Sequence, residues 1–354
     1  MNRIGVVGCG LMGAGIAEVS ARAGMEVVVV ESSAPAAEAG QARLTKSLKR
    51  AEDKGKIGSA AAVLERIRLE ISLDALADRE VVVEAIVEDE QAKTDLFTQL
   101  DKIVESPDAI LASNTSSIPI MKLGVATTRP ENVIGIHFFN PVPVLKLVEL
   151  VPSLITSPDV TERSRRFVQD VLGKEAIDCP DRAGFVVNAL LIPFVLSAIR
   201  MLESGFADAE DIDRGLVLGA AHPQGPLALA DLIGLDTTKA VADSLYEEFK
   251  EPLYAAPPLL LRMVDAGLLG RKAGRGFYNA HIPHRLLREL CALDEAGERT
   301  LEMAVRRMGL SARAHDRILK VARTVADLSA TPAVSAKHLA EAVQYRSLDR
   351  DYWS

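Results

Sequence analysis

The feature that most constrains this chain is a glycine turn set between a strand and a helix. Ile4, Val6 and Val7 are β-branched, Gly8-Cys9-Gly10-Leu11-Met12-Gly13 follows, residues 16–23 wind as a helix, and four valines run from 27 to 30. A GxGxxG carries little weight by itself, but directly after a strand and opening a helix it has the context that dinucleotide binding requires. There Gly8 allows the tight turn, Gly10 lets the backbone approach a pyrophosphate, and Gly13 lets helix and strand pack closely. The helix N-terminus offers free N–H groups and partial positive charge to the anion. Glu31 lies 18 residues beyond Gly13. A carboxylate there accepts hydrogen bonds from both ribose hydroxyls and repels a 2′-phosphate, so NAD is expected rather than NADP.

Four β-branched residues in a row suit a strand buried on both faces, as in a parallel sheet. Further apolar runs occur at 81–83, 110–112, 133–136 and 146–151, separated by helix-like stretches, notably 90–104. Strand and helix in alternation imply βαβ units and a doubly wound parallel sheet, the fold class α/β. The texture changes near 179–184. From 185 to 263 apolar residues fall at helical spacing, which predicts an all-α second domain closing at Gly274-Arg275-Gly276-Phe277-Tyr278. A second change at Ala280 opens a tail with two amphipathic helices, 311–328 and 335–345; Ile318, Leu319, Ala322, Val325 and Ala326 share one face. The expected division is 1–182, 183–280 and 281–354, within the two or three domains that roughly 100–200 residues per domain allow.

Composition narrows the partners. A formal charge of −8 argues against nucleic acid, because phosphate binding needs clustered Lys and Arg. Cys9, Cys179 and Cys291 are far apart and form no CxxC, the usage of a reducing compartment. The N-terminus runs straight into a strand pattern, so no leader peptide is expected. The apolar stretch 189–199 is interrupted by Pro193 and Ser197 and is too short to cross a bilayer. These readings imply a cytoplasmic protein with no membrane partner. His281 and His284 are two ligand types without a third, so no metal site is expected.

Oxidising an alcohol needs a base for the hydroxyl proton, and histidine suits because its pKa lies near working pH. His137 sits just past the 133–136 run, and the carboxyl ends of strands are where open α/β sheets place ligands. Glu149, 12 residues on, lies in a greasy segment where a carboxylate needs a partner. A His137–Glu149 pair would fix the imidazole tautomer and stabilise the protonated ring. Ser116, at the end of an earlier strand, is placed to donate to the reacting oxygen. Each has a plainer alternative: a structural histidine, a Glu149–Lys146 pair, a serine capping a turn.

Taken together, Asn114-Thr115-Ser116-Ser117, His137-Phe138-Phe139-Asn140-Pro141-Val142-Pro143 and Lys146-Leu147-Val148-Glu149 resemble the signature of 3-hydroxyacyl-CoA dehydrogenases. Gly184-Phe185-Val186-Val187-Asn188, Gly225-Pro226, Gly234-Leu235-Asp236 and the closing Gly-Arg-Gly-Phe-Tyr extend the likeness over residues 1–280. The resemblance, nearest to the short-chain 3-hydroxybutyryl-CoA type, implies NAD-dependent interconversion of 3-hydroxyacyl-CoA and 3-ketoacyl-CoA by a homodimer joined through the helical domain. It implies that His137 is the general base, that Glu149 orients it, and that Ser116 and Asn188 hold the substrate oxygen. Glu31, Ala85, Glu88, Lys93, Asn114 and Asn140 match positions lining the cofactor site, while Ser47 and Lys54 match contacts to coenzyme A. The segment around those two is basic (Arg43, Lys46, Lys49, Arg50, Lys54, Lys56), which also suits a solvated helix face. Ala183 and Ala189 depart from the Pro and Arg usual in the family pattern.

The tail resembles another family. Residues 285–294, Gly309-Leu310-Ser311-Ala312-Arg313-Ala314 and residues 317–324 are similar to the helical lid of magnesium-chelatase-like AAA-plus ATPases, where Arg313 matches a lid arginine. No GxxxxGK[ST] phosphate loop accompanies it, so the tail is expected to be folded and catalytically idle. Two readings of other classes remain beside the enzyme: a silent binding protein that keeps the dehydrogenase fold, and an ATPase-associated adaptor working through the tail.

Overall fold

The valine-rich runs pair edge to edge into one sheet. Its strands are β1 (Arg3–Val7), β2 (Glu26–Val30), β3 (Ile67–Glu70), β4 (Val81–Glu84), β5 (Ile110–Ser113), β6 (Val133–Phe138), β7 (Leu147–Pro152) and β8 (Glu175–Asp178). Their spatial order is β3-β2-β1-β4-β5-β6-β7-β8. The computed structural model describes residues 1–278, 291–308, 318–319, 321–323, 325–326, 329, 331 and 333–351. Backbone packing divides the chain into two units, Met1–Ala221 with Asp236–Leu261 and His222–Leu235 with Arg262–Ser354.

Helices α1 (Leu11–Arg22), α2 (Ala34–Asp53), α3 (Ala60–Leu64), α4 (Glu90–Ile103), α5 (Ile120–Gly124) and α6 (Pro158–Arg166) belong to the first unit. Alternate strand residues feed two apolar layers. Ile4, Val6, Val27, Val29, Val81 and Val83 pack with Ile16, Leu44 and Leu48. Val7, Val28, Val30, Val82 and Leu111 pack with Leu96, Phe97 and Leu100. A sheet covered on both sides buries both faces of each strand, which is why the valines run without alternation.

Strand order reverses between β1 and β4, and a doubly wound sheet opens a ligand crevice at that point. The sheet is parallel in all but one of its strand pairs. Pairs from β3 through β6 are parallel, but β7 runs antiparallel to β6, with β8 parallel to β7. Only residues 139–146 join β6 to β7. That connection is too short for the crossover of a dozen or more residues that a parallel return requires. The edge strands β3 and β8 escaped the sequence reading because each is four residues long, with charged residues at its ends or alternating through it.

The second half is helical: α7 (Val187–Glu203), α8 (Ala209–Gly219), α9 (Pro226–Ile233), α10 (Leu235–Phe249) and α11 (Pro258–Asp265), with no strand among the described residues from 185 to 263. Helix α7 continues through Pro193. In the second unit Asp231 accepts the amides of Phe277 and Tyr278 at 2.9 and 2.8 Å. A Cβ on Gly276 would stand 2.0 Å from its Oδ1, so that closing motif needs its glycine. Further on come α12 (Glu295–Met308), which the pattern did not reveal, and α13 (Ala336–Asp351), longer than the expected 335–345. Ile318, Leu319, Ala322, Val325 and Ala326 are all buried, as one shared face demands. Most of the 311–328 helix, with Arg313, His281 and His284, lies outside the described residues.

Candidate active site

The glycine turn bridges the C-terminal ends of β1 and β4. Gly8 has φ +92°, and a Cβ there would meet the Ala85 carbonyl oxygen at 2.7 Å. A Cβ on Gly13 would fall 1.8 Å from the Gly8 oxygen, so helix and turn touch through bare backbone. Gly10 differs: a Cβ there meets nothing within 4 Å. Gly10 also caps α1 with no side chain bonded to its amides, leaving N–H groups for an anion. Beside the turn, Glu31 Oε1 accepts the Cys9 amide at 2.5 Å, and Arg43 donates to the Cys9 carbonyl. Burial, then Glu31, pushes the Cys9 thiol up to about 11 against the pull of Arg43, so it stays protonated and inert at neutral pH.

A cavity of about 940 Å³ opens here, lined by Gly8, Gly10, Leu11, Met12, Glu31, Ala85, Glu88, Lys93, Asn114 and Ser116. Its floor is a charged network. Lys93, 1% exposed, lies 2.6 Å from the fully buried Glu84 and 3.1 Å from Glu88. Ser113 donates to the other oxygen of Glu84 at 2.5 Å. Glu88 Oε1 accepts from the Thr115 hydroxyl at 2.5 Å and from the Ser116 and Ser117 amides at 2.9 and 3.1 Å. Desolvation pushes the Glu88 carboxyl upward, but Lys93 and these hydrogen bonds outweigh it and hold it below the usual range. Asn114 Oδ1 accepts the Phe138 amide at 2.9 Å, tying this loop to β6.

The antiparallel turn-back sets His137 opposite Glu149 in register, within β6 rather than past its end. His137 Nδ1 lies 2.7 Å from Glu149 Oε2, and Nε2 lies 3.0 Å from Ser116 Oγ. Glu149 is fully buried, and its second oxygen accepts the Val186 and Val187 amides at 3.1 and 2.9 Å, at the start of α7. Two aromatic rings flank the imidazole edge-on, Phe139 at 4.7 Å and Phe185 at 5.4 Å between centroids. Cys179 stands beside this carboxylate; burial and the Glu149 charge push its thiol up to about 12. An ionised Glu149 must accept from Nδ1, which leaves the Nε2 lone pair of a neutral ring free to take a proton.

Asn188 sits in the first turn of α7, one residue beyond the amides that hold Glu149. Asn140 is exposed just beyond β6, outside the cavity lining. Ser47 lies in α2 and Lys54 at its end, also outside the lining. Sequence reasoning missed Glu84, Ser113, Phe139 and Phe185. A carboxylate closing the apolar 81–83 run was the one signal for Glu84.

Three family models match. The NAD binding domain of 3-hydroxyacyl-CoA dehydrogenase matches residues 3–182, and the C-terminal domain of 3-hydroxyacyl-CoA dehydrogenase matches residues 184–280. The C-terminal model of magnesium chelatase subunit ChlI matches residues 264–346. A 3-hydroxybutyryl-CoA dehydrogenase of Mycobacterium tuberculosis is 56% identical over 280 residues, 78% of this chain and 98% of the relative. The crystal structure of M. tuberculosis FadB2, 56% identical, superposes with a TM-score of 0.78 over 79% of this chain and 99% of that one. The (S)-3-hydroxybutyryl-CoA dehydrogenase PaaH1 of Ralstonia eutropha, 44% identical, gives 0.75 over the same shares.

Proposed function

Because the chain belongs to the 3-hydroxyacyl-CoA dehydrogenase family, we propose that it catalyses the reversible NAD-dependent oxidation of (S)-3-hydroxyacyl-CoA to 3-ketoacyl-CoA, with 3-hydroxybutyryl-CoA as the chief substrate. The observation that carries this reading is the His137–Glu149 contact of 2.7 Å with Nε2 presented to Ser116 at the cavity wall. Nε2 takes the proton of the substrate 3-hydroxyl, and Glu149 stabilises the imidazolium that forms. Ser116 and Asn188 hold the substrate oxygen. In the reverse direction His137 returns the proton to the carbonyl oxygen.

NAD, when bound, supplies the acceptor for the hydride leaving C3. The chain fits that group: Gly10 leaves open space beside uncapped amides, and Glu31 faces the cavity with a carboxylate for the ribose. Ala85, Glu88, Lys93, Asn114 and Asn140 complete the cofactor side. Coenzyme A is met by Ser47 and Lys54, two helical turns apart, with exposed Lys46, Lys49 and Arg50 around them to attract phosphates. Exposed Leu190, Met201, Phe206, Val217 and Leu218 on and between α7 and α8 support a homodimer through the helical domain. Cys9, Cys179 and Cys291, all buried and in no disulfide, support a cytoplasmic site of action; no helix among the described residues is long and apolar enough to cross a membrane. The division at 182 and 280 follows the ends of the two dehydrogenase matches. No step of this chemistry calls on residues 281–354.

The test is acetoacetyl-CoA reduction followed through NADH absorbance, with NADPH in parallel. Turnover with NADH and weak use of NADPH is expected. No turnover with either would refute the activity.

A further inference from the structure

Phe185 adopts a left-handed backbone conformation, φ +49°, directly after Gly184 at φ +74°. Glycine enters that region freely, whereas a bulky side chain there is an outlier, because its Cβ crowds the neighbouring carbonyl. Such strain persists where the surroundings over-determine it, and it gathers at functional sites. Here its two consequences reach the same pair of residues. The chain reverses so that the next two amides, Val186 and Val187, meet Glu149 Oε1. The ring, 7% exposed, turns back to lie edge-on to the His137 imidazole.

The imidazole needs such a wall. The terminal torsion of histidine is broad and roughly two-fold, so the ring can flip. A flip exchanges each nitrogen with a carbon and breaks the contacts to Glu149 and Ser116 together. Phe185 and Phe139, both steeply inclined to the ring and close to it, stand in the way of that motion. We propose that Phe185 is a positioning residue for the base: one strained residue aims the amides that hold Glu149 and the ring that holds His137. The inference rests on the reading of His137 as the base.

Phe185 also packs in the core with Ile118, Val151 and Cys179, so its loss loosens the fold whatever it does for His137. Phe97, fully buried in the same apolar layer, separates the two roles. In the full-length protein, Phe185→Leu and Phe97→Leu are compared by Tm, kcat, KM for NADH, and the downfield proton resonance of the Glu149-bonded ring N–H. That resonance is identified by its loss in His137→Gln. Both variants lower Tm. Phe185→Leu alone lowers kcat by about three- to tenfold, the scale of one aromatic pair, leaves KM for NADH unchanged, and broadens or moves the resonance. If Phe185→Leu does not fold, Phe185→Met gives the same readout with a side chain that fills gaps. Wild-type kcat and an unmoved resonance in the Phe185 variant would overturn the proposal. Full turnover in His137→Gln would instead overturn the base assignment beneath it.

Discussion

His137 and Glu149 face each other across an antiparallel pair of strands, and Nδ1 stands 2.7 Å from Oε2. Two backbone amides already occupy Oε1. A glutamine at 149 would therefore keep its oxygen on those amides and turn its NH2 toward Nδ1. Nδ1 would then have to accept, the ring proton would move to Nε2, and no base would remain. Glu149→Gln should lower kcat by about two to four orders of magnitude, the scale of a wrong tautomer, with NADH affinity unchanged. Steady-state kinetics with a fluorescence titration of NADH checks this; kcat within threefold of wild type would exclude the orienting role.

Gly10 and Gly13 should fail in different ways. A Cβ on Gly13 collides with the Gly8 backbone at 1.8 Å, so Gly13→Ala disrupts the turn and lowers Tm. Gly10 has φ −63° and open space around its missing Cβ, so Gly10→Ala folds normally. Its methyl group stands where a pyrophosphate would approach, and KM for NADH should rise about tenfold or more. Equal Tm losses in the two variants would contradict this division of labour.

The proposed contact of Glu31 with the ribose predicts the choice of dinucleotide. Glu31→Ser removes the charge that repels a 2′-phosphate and the acceptor for the ribose hydroxyls. KM for NADH should rise about 10- to 100-fold, the worth of hydrogen bonds to a charged group, while NADPH use improves. Parallel titrations with both dinucleotides test it. An unchanged NADH to NADPH ratio would remove Glu31 from the site.

Glu88 links acid stability to the placement of Ser116. Its carboxyl is held below its ordinary value of 4.5, so the folded protein binds fewer protons than the unfolded chain around that pH. The stabilisation is therefore complete above 4.5 and is lost as pH falls through the lower folded value. The Tm gap between wild type and Glu88→Gln should be widest near neutrality and close on acidification. The same variant loosens the Ser116 amide contact and should lower kcat. A pH-independent gap would mean that the ionised carboxylate is not what holds this loop.

The glycine turn was legible because Gly8 and Gly13 stand where a Cβ would strike backbone, and Gly10 where a pyrophosphate would approach. His137 and Ser116 were legible as reactive types near strand ends and Glu149 as a carboxylate in a greasy run, but the strand reversal that brings them together was not. The β6–β7 reversal follows from the short 139–146 connection, a constraint on chain reach rather than on hydrophobic pattern. Glu84 lay hidden because a buried carboxylate breaks an apolar run unless its lysine is known to be near, and Lys93 is supplied by the next helix. Phe185 entered only as part of the Gly184–Asn188 likeness, with no role of its own; its backbone angle is a tertiary property with no local signal. Ser47 and Lys54 rested on family likeness alone, since a basic helix face is equally at home in water.

The central claim is that the imidazole of His137 takes the hydroxyl proton. Its most direct test is the kcat of His137→Gln for 3-hydroxybutyryl-CoA oxidation, with NADH binding measured on the same preparation. A fall of about two to four orders of magnitude with binding intact is predicted, the usual contribution of a positioned base. Turnover near the wild-type rate would contradict the account.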